Sequence, residues 1–85
     1  MAKRTPPTPA AGRRQLEALG ARLRAARLRR EMSQAALAEK VGVQVQTILK
    51  LESGNPATSL ATTFLVLRAL GMAADIDALA AEDAP

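Results

Sequence analysis

From position 16 onward the apolar residues recur at the spacing of a helix face. Leu16, Leu19, Leu23 and Ala26 stand three or four apart, so a helix opening near Gln15 carries one apolar stripe. Leu28 falls off that stripe. Ser33 precedes a second periodic set, Leu37, Ala38 and Val41, and its hydroxyl can accept a backbone N–H as an N-cap. A capping box would need Glu or Gln at the third helical position, where Ala36 stands. Gly42 follows Val41, where a left-handed residue ends a helix. A third helix is expected over about 44–53, burying Ile48 and Leu51 behind Val43, and Gly54-Asn55-Pro56 breaks it. A fourth is expected over about 59–70, with Leu60, Phe64, Leu67 and Leu70 turned to the core and Gly71 at its end. Asp75 is expected to cap a short fifth turn carrying Ile76 and Leu79. No stretch has strand periodicity and no repeat occurs. The pattern predicts an all-α chain of five short helices.

Residues 1–14 hold three Pro, one Gly and four bases without apolar periodicity, which reads as a flexible basic arm. The domain proper is expected over 15–80, followed by an acidic tail over 81–85. Charge is uneven along the chain. Residues 1–30 carry nine Lys/Arg against Glu17 alone, a balance of +8, while residues 75–85 carry Asp75, Asp77, Glu82 and Asp83 with no base. A basic half beside an acidic end suits a polyanion such as nucleic acid, or simply a solvated surface. The arm can be an idle tail or a phosphate or minor-groove contact. The acidic end repels DNA phosphate and is expected to lie away from a duplex, either docking on a basic partner or only solubilising the chain.

Residue types narrow the chemistry. The 85 residues include no Cys and no His, so disulfides, thiolate metal sites and the commonest general base are all missing. No phosphate-binding Gly loop or paired-carboxylate arrangement replaces them. The chain is therefore expected to be no enzyme, with no cofactor, no metal and no small-molecule substrate. No apolar run approaches the roughly 18 residues of a membrane span, and the N-terminus lacks the apolar segment of a signal peptide. A cytoplasmic, nucleoid-associated protein without membrane contact is expected.

The informative stretch is 33–54, SQAALAEKVGVQVQTILKLESG. Two short helices flank a tight turn, with small Ala38 four residues before Gly42, which lets the helices cross closely and the chain turn sharply. With Gln34, Ala38, Gly42, Val43, Ile48, Leu51, Glu52 and Gly54 in place, this stretch resembles the helix-turn-helix of phage repressors and Xre-like regulators. The resemblance covers about 19–79 and implies a five-helix phage-repressor-like DNA-binding domain whose third helix enters the major groove.

Site residues follow from that resemblance. Gln34 should meet a phosphate and brace the recognition helix. Gln44, Val45, Gln46 and Lys50 should face the groove, and Thr47 should bond a phosphate on the flank. Their chemistry is apt, because a Gln amide pairs bidentately with adenine, Lys donates to guanine and Val packs on a thymine methyl. Arg27 and Glu52 correspond to a buried salt bridge between the first and third helices, with Arg27 also in reach of the DNA backbone. Two residues depart from the family pattern. Glu31 stands where Gly is usual, so the first helix should run longer or end under strain. Gln44 replaces a Ser/Thr cap, so the recognition helix is less well fastened at its start.

Residues 54–71 and 19–30 resemble the HipB-type antitoxins, which implies a homodimer that represses its own operon and binds a HipA-like kinase toxin. A stand-alone Xre regulator and an interaction module without DNA binding are the alternatives. Leu65 and Val66 exceed what one inward face needs. With Leu28, Met72 and Ile76 they form a candidate dimer or partner surface, or else serve a core short of aromatics. One helix-turn-helix covers half a site, so double-stranded palindromic operator DNA and a two-fold dimer are expected.

Overall fold

The computed structural model describes residues 7–83. Five α-helices follow one another: α1 (Ala10–Arg29), α2 (Gln34–Val41), α3 (Val45–Glu52), α4 (Leu60–Ala69) and α5 (Ala74–Ala78). A 3₁₀ turn, Ala81–Asp83, comes last, and no strand occurs among the described residues. The fold is all-α with α2 and α3 as the helix-turn-helix. No helix of the described chain is long and apolar enough to cross a membrane.

α1 starts five residues earlier than the apolar stripe indicates. Pro9 holds φ −63° and ψ 156° as the N-cap, and the Arg13 N–H donates to its carbonyl at 2.9 Å. Residues 10–14, read from the sequence as part of the arm, are thus helical. Ala and Arg are strong helix formers, and a solvated first turn needs no apolar face. Lys3 and Arg4 of the expected arm lie outside the described residues.

The helix ends follow local chemistry. The hydroxyls of Ser33 and Ser59 accept the backbone N–H groups of Ala36 and Thr62, each at 3.0 Å. α1 closes without Gly. Glu31 takes φ 54°, its N–H donates to the Leu28 carbonyl at 2.9 Å, and the Met32 N–H reaches back to Arg27 at 3.2 Å. These are the paired bonds of a Schellman end, with a β-carbon in the left-handed position that costs about 1–2 kcal/mol. α1 therefore does not run on; it ends on a strained residue. The expected Asp75 cap does not form. The N-cap of α5 is Ala73, and Asp75 sits inside the first turn, where its charge suits the positive helix end.

α2 packs on α3 and α4, α1 packs on α3, and α5 packs on α4. The shared core comprises Leu23 and Ala26, Leu37 and Ala38, Ile48 and Leu51, and Val66, Leu67 and Leu70, so each of the first four helices contributes. α4 follows the expected stripe in its second half, where Leu67 and Leu70 are buried, but departs from it in the first. Val66 is 1% exposed and inward, whereas Leu60 is 70% exposed and Phe64 only half-buried beside Arg68. The period-3.6 pattern is met equally by either set, and only the position of α2 selects one of them.

Gly20 sets how closely α1 can approach α3. A β-carbon there would overlap the Glu52 carbonyl and come within 2.7 Å of the Leu51 carbonyl oxygen. The end of α3 rests on this bare stretch of α1 backbone.

Candidate nucleic-acid interface

α3 has two unlike faces. Ile48, Leu51 and Glu52 are buried, while Gln44, Val45, Gln46, Leu49 and Lys50 are exposed and Thr47 is half-buried. At 100° per residue, Gln46 and Lys50 lie one turn apart and directly opposite Ile48. The two amides of Gln44 and Gln46, the Val45 methyls and the Lys50 ammonium therefore share one open surface at the start and middle of α3. Gln44 occupies the N-cap without a side-chain cap bond, so its amide is free for other partners.

The turn before α3 depends on Gly42 at φ 84°, and the Gly42 and Val43 N–H groups both donate to the Ala38 carbonyl, at 2.8 and 3.0 Å. A β-carbon on Gly42 would meet nothing within 4 Å. Backbone conformation, not space, requires glycine here.

The far end of α3 is fastened by charge. Arg27 donates from Nε to Glu52 Oε2 at 2.7 Å and from Nη2 to Oε1 at 3.0 Å, while Nη1 donates to the Met32 carbonyl at 2.7 Å. Gln34 Nε2 adds a donor to Glu52 Oε1 at 3.2 Å. Arg27 is 5% and Glu52 8% exposed, and no buried side-chain polar atom among the described residues lacks a partner. The hydrogen bond to Glu52, then the attraction of its charge, raises the Arg27 pKa above its ordinary value against the opposing effect of burial. Arg27 thus keeps its charge at neutral pH. Arg27 is turned inward with its donors engaged, so it does not reach outward toward a DNA backbone. Gln34, first residue of α2, ties the start of that helix to the end of α3.

A helix-turn-helix family model matches residues 23–76, from the middle of α1 into α5. The chain belongs to the helix-turn-helix family. This is the phage-repressor and Xre type, a family of DNA-binding transcription regulators. Comparison with curated proteins gives no match.

Within this helix-turn-helix domain the expected DNA-facing residues gather on α3 and the start of α2. The expected partner surface does not gather. Val66 is core and unavailable to a partner. Leu65 lies in a shallow groove with Lys40 and Arg68, whereas Met72 and Ile76 line a different groove and Leu28 lines neither. Spacing along the chain had grouped residues that the fold separates.

Two surface residues escaped the sequence reading. Leu49 is half-exposed beside Gln46 and Lys50, and its place off the inward set Ile48, Leu51 and Glu52 was a usable signal. Arg13 lines a cleft of about 580 Å³ with Ser53, Gly54 and Asn55, next to the end of the recognition helix. Nothing in the local sequence marks that approach, since forty residues separate the two segments.

Proposed function

We propose that this chain is a sequence-specific transcriptional repressor that binds as a homodimer to a palindromic operator, with α3 in the major groove. The observation that carries this reading is the open face of Gln44, Val45, Gln46 and Lys50 on a helix anchored at its other end by the buried Arg27–Glu52 pair. Base reading needs side chains held in register, and a rigid anchor behind a polar face supplies that. Gln44 and Gln46 read adenine, Lys50 reads guanine, and Val45 and Leu49 pack on thymine methyls. Thr47, Gln34 with its remaining amide capacity, and Arg13 contact phosphates along the flanking backbone. The nucleoid is the expected site of action.

The finer reading is that of an antitoxin which represses its own operon and binds a HipA-like kinase toxin. It is supported by the resemblance of residues 19–30 and 54–71 to HipB-type antitoxins and by apolar surface left outside the core.

The test is a titration of the protein against its own promoter and a scrambled duplex at ~150 mM salt, a concentration at which non-specific phosphate binding is weak. Tight binding to the promoter alone, at two chains per site, is expected. Equal and weak binding to both duplexes would refute the repressor reading and leave the helix-turn-helix as a scaffold for a protein partner.

A further inference from the structure

We infer that the groove between α1 and the α4–α5 corner is the docking surface for a second copy of this chain, related by a two-fold axis. The need for a dimer rests on the repressor reading above, whereas the choice of surface rests on the groove itself. It has a volume of about 460 Å³ and is lined by Leu16, Leu19, Leu60, Met72, Ile76 and Leu79 among others. Leu60 and Leu79 are 70% and 64% exposed, the highest values among the large hydrophobic residues described. A hollow with protruding leucines on the same face is a knob and a hole together, as a self-complementary contact requires.

Charge points to the same occupant. Arg22 lines the groove from α1 and Asp75 from α5. They do not pair within the chain, since the one ion pair among the described residues is Arg27–Glu52. A two-fold rotation across the groove brings Arg22 of each copy toward Asp75 of the other. The groove around Leu65 has the opposite character. It is rimmed by Lys40 and Arg68, so two copies meeting there would set like charges together.

The groove is also compatible with DNA binding. None of its lining residues belongs to α2 or α3, so a second copy seated there leaves Gln46 and Lys50 open. Both recognition helices stay free for the two half-sites of an operator.

Sedimentation of the full chain and its variants tests this, alongside binding to one-half-site and palindromic duplexes. The Leu60→Glu/Leu79→Glu pair alters exposed positions only, and circular dichroism verifies its helix content. Its dimer dissociation constant is expected to rise roughly tenfold or more. Leu28→Glu/Leu65→Glu, outside the groove, is expected to leave the dimer intact. Arg22→Asp is expected to weaken the dimer, and Arg22→Asp/Asp75→Arg to restore it. A wild-type dimer unaffected by Leu60→Glu/Leu79→Glu would overturn the inference, as would a monomeric wild type, which would leave the groove to a partner of different sequence. Half-site binding reports on the repressor reading separately. If no form binds DNA but the groove variants still dissociate, that reading fails and the docking surface stands.

Discussion

Replacing Arg27 with Met removes the cation from the buried pair while roughly preserving the length of the side chain. The Glu52 carboxylate, 8% exposed, then loses both guanidinium donors and keeps only the longer bond from Gln34 at 3.2 Å. The Met32 carbonyl loses its 2.7 Å donor as well. Breaking a buried pair from one side costs about 3–5 kcal/mol, chiefly because the remaining charge is left desolvated. A domain of 85 residues has a total stability of about 4–13 kcal/mol, so the loss is a large share of the whole. Converted at about 4–8 °C per kcal/mol, the melting temperature should fall by roughly 12–40 °C. Urea unfolding followed by far-UV circular dichroism measures the change directly. The double variant Arg27→Met/Glu52→Leu removes both charges and should recover most of the lost stability, because hydrophobic replacement of a whole buried pair is often neutral. A loss below about 1 kcal/mol for Arg27→Met would refute the reasoning, since that is the size expected of a solvent-screened surface pair. A double variant no more stable than Arg27→Met would refute it too, by showing that packing and not the stranded carboxylate sets the cost.

Three further outcomes are expected. Glu31→Gly should stabilise the chain by about 1 kcal/mol by relieving the left-handed residue at φ 54°, and an unchanged urea midpoint would show that no strain is stored there. Gly20→Ala should destabilise it by about 1–3 kcal/mol or more, because the added methyl meets the α3 backbone, which cannot rotate away as a side chain would; wild-type stability would mean that α1 and α3 separate freely. Lys50→Ala should weaken operator binding by about 1–3 kcal/mol and relax preference at one base step, whereas equal losses on every duplex would assign Lys50 to phosphate contact.

Features that depend on neighbours within a turn or two can be read from the order of residues alone. The hydroxyls of Ser33 and Ser59 cap helices, and Gly42 and Gly71 take left-handed conformations just past helix ends. Ile48 and Leu51 define the inward face of α3 and so leave Gln46 and Lys50 outward, because a helix with one solvated face has a single apolar stripe. The family pattern over α2 and α3 was legible for the same reason, being made of local turn and crossing requirements. Everything else depends on how the helices meet. α4 has enough Leu and Val to turn either of two arcs inward, and its contact with α2 selects Val66 over Leu60. Gly20 in the middle of α1 has no local signature, and its meaning comes from α3 lying against it. Arg27, Gln34 and Glu52 come from three helices and meet around one carboxylate. Residues that spacing grouped as one partner surface are divided among the core and separate grooves, and the groove lined by Leu16, Leu60 and Leu79 replaces them as the largely apolar surface left open. Periodicity tells which residues share a helix face, but which face is covered depends on how the helices pack, and that is set by contacts between residues far apart in the chain.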